Sequence, residues 1–130
     1  MTLMASARAG VVAVGLDLVD VARFERVKPR VRERLFTKEE ARYCVLQQRP
    51  AIHFAARFAA KEAVLKALGT GWSGGIAWTD VEILRKEHGG AVVKLSGKAA
   101  ARAKKLKIRG WHLSMTHTSS TAAAVAIAQS

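Results

Sequence analysis

The 130-residue chain has a single cysteine, Cys44. No internal disulfide can form, and a reducing cytoplasm is the expected setting. Within "ARYCVL" that thiol reads as a small buried hydrophobe, not a nucleophile. No stretch reaches the roughly 20 apolar residues that a membrane-spanning helix needs, and "MTLMASARAG" carries too short an apolar run for a secretory signal. Aromatic residues make up only 6% of the chain. No stacking motif accompanies them, which argues against a module that binds single-stranded nucleic acid. Acid is scarce too: 10 Asp and Glu face 22 Lys and Arg, for a net charge of +12. That field attracts phosphates, acidic proteins, nucleic acid or anionic lipid, and gives a partner's charge without its identity.

What is present is half hydrophobic, enough for the core of one domain, with apolar surface left over for association. "GVVAVGLDLV" is an uninterrupted apolar, β-branched run and predicts a strand covered on both faces, with Asp17 inside it. "DVARFERV" predicts a short helix capped by Asp20, followed by irregular "KPRVRERLF". Thr37 and Glu40 have capping-box spacing and open a helix to about Gln48. Pro50 suits the first turn of the next helix and Gly69 its end. "TDVEILRKE" and "AVVKLS" flank the turn signal "HGG" and predict a hairpin. Ser96 would cap the basic helix "GKAAARAKKLK", and "WHLSMTH" with "TAAAVAIA" reads as a final strand pair. This order predicts an α+β fold with a largely antiparallel sheet.

The stretch "FAARFAAKEAVLKALGTG", Phe54 to Gly71, is an apolar helix that carries four charges away from its ends. At about 100° per residue, Phe54, Phe58, Leu65 and Leu68 form one stripe and the alanines gather opposite, where another backbone can approach closely. Glu62 and Lys66 lie on one flank, Arg57 and Lys61 on the other. The first pair reads as an ordinary helix ion pair worth about 0.2–0.5 kcal/mol, or as part of a site. Arg57 and Lys61 repel each other within a covered helix, so a nearby anion explains them better than solvent does. "GTGWSG" matches G-x-G-x-x-G, but it follows a helix, whereas a dinucleotide fingerprint follows a strand and opens a helix. It reads as a helix cap with a flexible connection, or as a loop that lets a substrate approach.

Taken in order, "GLDLVDVARFE", "RLFTKEEA", "FAARFAAKEAVLKALGTG" and "LSMTHT...AAAVAIA" resemble the holo-[acyl-carrier-protein] synthases, which are 4'-phosphopantetheinyl transferases. The resemblance runs from about Val14 to Ala128 and leaves residues 1–10 as a flexible leader to a single domain spanning 1–130. Its most specific part is G-[LI]-D paired with A-A-K-E-A-x-x-K-A-x-G-T-G about forty residues on. It implies transfer of phosphopantetheine from coenzyme A to a serine of apo-acyl carrier protein, with release of adenosine 3',5'-bisphosphate, in fatty acid biosynthesis. Magnesium would be held by Asp17 and Glu62, and Lys66 would stand near the pyrophosphate. These three residues would carry catalysis. Arg57, Lys61, His117 and Thr118 match positions near the coenzyme A phosphates, and Gly69, Thr70 and Gly71 match the loop against which the nucleotide rests. Arg23 would dock the acidic carrier protein. Short members of this family resemble homotrimers with active sites between subunits.

The residue types suit that chemistry. Magnesium takes one or two carboxylates and leaves its other positions to phosphate and water, and phosphoryl transfer is catalysed chiefly by positioning and charge neutralisation. Alone, Asp17 reads as a buried hydrogen-bonded carboxylate. His117, at the end of the face that carries Trp111, Leu113 and Met115, reads alone as a core histidine. The family's charged or aromatic residue after "THT" is replaced by "SST", and Trp72 and Trp78 have no assigned counterpart and read as packing. A nucleic-acid module and a non-catalytic coenzyme A or carrier-protein binder are the competing classes; the binder would not need both Asp17 and Glu62.

Overall fold

A computed structural model describes residues 10–70 and 73–130. The leader up to residue 9, Gly71 and Trp72 lie outside the described residues. Strand β1 (Val11–Asp20) pairs antiparallel with β5 (Thr121–Gln129), which pairs in turn with β4 (Gly110–His117), in the order β1-β5-β4. Strands β2 (Val81–Arg85) and β3 (Ala91–Leu95) form a separate antiparallel hairpin. Four helices, α1 (Pro29–Leu35), α2 (Lys38–Val45), α3 (Pro50–Leu68) and α4 (Gly97–Lys105), complete an α+β fold.

The 19-residue α3 is the central element. Its alanine face meets the inner face of the sheet, where Ala122, Ala124, Ala126 and Ala128 of β5 are all buried. Small residues on both sides let backbone approach backbone. The closest approach is at Gly15, where a Cβ would stand 1.8 Å from the Ala63 carbonyl oxygen. Opposite, Phe24, Phe36, Phe54 and Phe58 form an aromatic cluster, and Trp78 stacks on Phe58 with 4.9 Å between ring centroids. The packing reading of Trp78 therefore holds.

Several local expectations hold as well. Thr37 Oγ1 accepts from Glu40 N–H while Glu40 Oε1 accepts from Thr37 N–H, closing the capping box. Gly69 ends α3 in the left-handed region at φ 77°, which glycine enters without a Cβ clash. Others fail. Val21–Phe24 forms a 3-10 turn without a side-chain cap from Asp20, and the segment expected to be irregular contains α1, with Pro29 in its first turn. Proline's fixed φ suits a helix start, and Arg32 of α1 lies over the Phe54 ring at 4.9 Å. Ser96 makes no side-chain cap to α4.

The largest departure concerns β1. Its inward residues Gly15 and Val19 are buried, but Val14, Leu16 and Leu18 are 57%, 64% and 70% exposed. Among the described residues, the strand is covered on one face only.

Replacing Gly15 with alanine is expected to cost about 1–3 kcal/mol, since Ala63 is backbone that must shift to admit the methyl group. Chemical denaturation measures it. An unchanged midpoint would contradict the close crossing.

Candidate active site

Asp17 lies on the inner face of β1, two residues beyond the Gly15 crossing, and this brings its carboxylate to the flank of α3. Lys66 Nζ lies 2.9 Å from Asp17 Oδ1 and also donates to the Leu16 carbonyl at 2.9 Å. Lys66 thus forms an ion pair with a strand residue 49 positions away. The Lys66 and Asp17 side chains are 52% and 17% exposed. An ion pair this open contributes only about 0–1 kcal/mol, so a ligand of higher charge can replace it cheaply. Beside it lies a cavity of about 380 Å³ lined by Leu16, Asp17, Leu18, Lys66 and Ala123. Glu62, half-buried on the same flank, does not line this cavity.

Asp17 and Glu62 are carboxylates of the kind that magnesium takes. The two carboxylates supply hard oxygens, and among the described residues no group of three metal-ligating side chains forms a closed protein cage. An ion held here would keep positions open to phosphate and water, as magnesium does.

The opposite flank of α3 carries a different cluster. Arg57 is 2% exposed, and its guanidinium lies 4.1 Å from the centroid of the Tyr43 ring. His53, one turn earlier, is 5.9 Å from Tyr43 and 6.0 Å from His117, ring to ring. Arg85 of β2 donates to Tyr43 Oη at 2.8 Å. Burial, reinforced by Arg57, His117 and Arg85, holds His53 below its ordinary pKa of 6.5. Nine helix positions separate Arg57 from Lys66, about half a revolution around the axis and roughly 13 Å along it. The fold therefore gathers the expected site residues into two groups on opposite sides of one helix.

Lys61 departs from expectation. Its ammonium is fully buried, 2.7 Å from Glu40 Oε1, and donates to the backbone carbonyls of Trp78 and Val81. Desolvation pulls its pKa down and Glu40 opposes the shift. The anion expected beside Lys61 is present, and it belongs to the protein: it is the Glu40 carboxylate. The Glu62 and Lys66 flank, by contrast, stays open to solvent at Lys66. Cys44 is fully buried, and burial pushes its thiol up to about 12, as a core residue requires.

His117 is exposed at the end of β4, which removes its core-histidine reading. Thr118 organises the β4–β5 turn: its Oγ1 accepts from Ser120 and Thr121 N–H at 3.2 and 3.0 Å. Thr70 is half-buried beyond the Gly69 cap, and Gly71 lies outside the described residues. Arg23 is exposed, with its guanidinium 4.7 Å from the Phe58 ring centroid. Sequence reasoning missed Tyr43, His53 and Arg85. Only His53 left a signal, four positions before Arg57 on the same flank.

The family profile of the 4'-phosphopantetheinyl transferase superfamily matches residues 13–127. The chain belongs to this superfamily. Among its relatives, the holo-[acyl-carrier-protein] synthase of Streptomyces griseus is 42% identical over 123 residues, covering 92% of this chain and 98% of that protein. The crystal structure of the holo-[acyl-carrier-protein] synthase from Neisseria meningitidis superposes with a TM-score of 0.82 at 26% identity, covering 92% of this chain and 98% of that one. The Helicobacter pylori synthase, solved in complex with coenzyme A, gives a TM-score of 0.76 at 26% identity, with 88% and 98% covered. The superfamily fold is thus the frame for both clusters.

Lys61→Met is expected to cost about 3–5 kcal/mol by stranding Glu40 in the core, and Lys61→Met/Glu40→Leu to recover part of that loss. Denaturant midpoints decide between this and an inert pair. The unfolded chain protonates His53 before the folded one, so the stability this contributes is present above pH 6.5 and falls as the pH drops below it. His53→Phe is expected to flatten the dependence of the thermal midpoint between about pH 7.5 and about pH 5.5.

Proposed function

We infer that this protein is an enzyme that transfers the 4'-phosphopantetheine group of coenzyme A to a serine of apo-acyl carrier protein, releasing adenosine 3',5'-bisphosphate. The observation that carries the mechanism is the Asp17–Lys66 pair, held at the mouth of a cavity by the β1–α3 crossing in a chain of this superfamily. The serine oxygen forms a bond to the phosphorus that bears pantetheine, and the pyrophosphate bond breaks with its oxygen leaving on the nucleotide. Negative charge grows on that leaving phosphate. The half-exposed Lys66 ammonium can leave Asp17 to neutralise it. Asp17 and Glu62 would hold magnesium. The bound ion would supply further charge neutralisation and orient the pyrophosphate. The serine proton passes to a base during attack, and the carboxylates of this flank are the acceptors the chain offers.

The finer reading is a homotrimer. The open apolar row of Val12, Val14, Leu16 and Leu18 supports association through the β1 face. The separation of Arg57 and His117 from Asp17 and Lys66 supports a site completed by a neighbouring copy, with the basic cluster of one subunit facing the carboxylates of the next. Arg23 and its basic surroundings would receive the acidic carrier protein, and the reaction would serve fatty acid biosynthesis in the cytoplasm. A non-catalytic binder of coenzyme A would use the basic cluster without the carboxylates.

Incubation with magnesium, coenzyme A and apo-acyl carrier protein is expected to add one phosphopantetheine mass to the carrier, read by mass spectrometry. Chelation should abolish the addition. Asp17→Ala and Glu62→Ala should each lower the rate at least about 100-fold. Undiminished transfer by both variants would overturn this mechanism, and binding without transfer by the wild type would favour the binder.

A further inference from the structure

The C-terminus of α3 is closed by another helix. An α-helix leaves its last four carbonyls without an amide from a following turn. In α3 the Gly69 N–H donates to the Leu65 and Lys66 carbonyls. The Leu68 carbonyl is served from α4, where Arg102 donates from Nε at 3.0 Å. The guanidinium is well seated there. Ala99 and Ala103, which flank it in α4, are buried, and Arg102 itself is half-buried, with Nη2 3.7 Å from where a Cβ on Gly69 would lie. One turn earlier Lys98 lies over Gly75, its Nζ 2.7 Å from where a Cβ there would stand. The same face of α4 thus braces the chain at Gly69 and again at Gly75.

The turn that Arg102 closes is the one that carries Lys66. A lysine in the last turn of a helix ordinarily interacts with its own terminal carbonyls, which together amount to about half a negative charge. Lys66 stands in that turn, yet its ammonium reaches across to β1, to Asp17 Oδ1 and the Leu16 carbonyl. Arg102 supplies the missing cation from α4, and Lys66 is left to face the cavity that it lines. A helix C-terminus without such a cation would also repel a phosphate brought close to it.

We propose that Arg102 is a positioning residue of the transferase: by bonding the Leu68 carbonyl and offsetting the negative end of α3, it holds the turn that aims Lys66 at the reacting phosphate. The proposal rests on the transferase reading above. Arg102 is not among the residues that line the Asp17–Lys66 cavity, so it acts through the helix end and not on the substrate. Its effect therefore belongs to the rate of the chemical step more than to the affinity for either substrate. A lysine in its place keeps the charge and a donor while losing the planar fork, and a glutamine loses the charge.

Transfer from coenzyme A to apo-acyl carrier protein, measured well below the thermal midpoint of each variant, tests this. Arg102→Gln should lower kcat about tenfold and change KM for either substrate by less than about twofold, and Arg102→Lys should regain most of the loss. Lys105→Gln, which removes an exposed charge from the same helix, should leave kcat unaltered. Coupling to Lys66 separates positioning from general damage: in single-turnover assays on a Lys66→Met background, Arg102→Gln should have a further effect of less than about twofold. A rise in KM without a fall in kcat, an undiminished loss in Arg102→Lys, or the same factor in both backgrounds would overturn the proposal. Amide hydrogen exchange read by NMR needs no activity. The Gly69 N–H, bonded to the Leu65 and Lys66 carbonyls, should exchange at least about tenfold faster in Arg102→Gln than in the wild type, and unchanged exchange would reject the anchoring role. If the wild type transfers nothing, the transferase reading fails, and the exchange at Gly69 still decides whether Arg102 holds the end of α3.

Discussion

The buried ion pair between Lys61 and Glu40 is the constraint on which the remaining arrangement depends. An unpaired charge in a protein interior costs several kcal/mol, so each partner must find the other and must also satisfy its remaining hydrogen-bonding capacity. Glu40 does so by accepting from the N–H groups of Thr37 and Ile83, and Lys61 by donating to the carbonyls of Trp78 and Val81. One carboxylate and one ammonium thereby fasten α2, α3 and the start of the β2–β3 hairpin in a single register. A slip of any of these elements would leave a buried charge unmatched. Tyr43 rides on α2 and Arg85 on the hairpin, so the same pair brings both beside Arg57.

A second constraint, the crossing at Gly15, sets the other side of α3. Because β1 passes within backbone contact of Ala63, Asp17 reaches Lys66. The two lysine–carboxylate pairs of this helix are alike in composition and opposite in role. Lys61–Glu40 is dry and fully coordinated, which makes it permanent. Lys66–Asp17 is half-open to water and weak, which leaves both groups free to rearrange around a charged ligand. Burial alone separates structure from chemistry here. The helix acts as a partition, with a carboxylate and lysine pair along one flank and a cluster of basic and aromatic side chains along the other.

Local signals made much of the fold legible. The capping box of Thr37 and Glu40, Pro50 and Gly69 at the ends of α3, the "HGG" hairpin and the final strand pair are all short-range features, written in residues that touch within a few positions of one another. Among the site residues, Asp17 and Lys66 were legible as a motif and were indeed brought together. The functional meaning of Lys61 was not, because its partner Glu40 looked fully accounted for as a capping residue, and a carboxylate has two oxygens with which to serve two elements. Tyr43 and Arg85 stayed invisible because a tyrosine on one helix and an arginine on a hairpin become a pair only when a third element places them together.

By itself, then, the amino-acid order determined the α+β class, the ends of α3, its alanine face and the family to which the chain belongs, since these depend on periodicity, capping and motif spacing. The tertiary structure alone decided which of four charges on one helix is buried. It also decided that the β1 run is covered on a single face, and that the basic and acidic groups stand half a turn apart. Such outcomes depend on desolvation and on contacts between residues far apart in the chain, and no local pattern records which neighbour a side chain will meet.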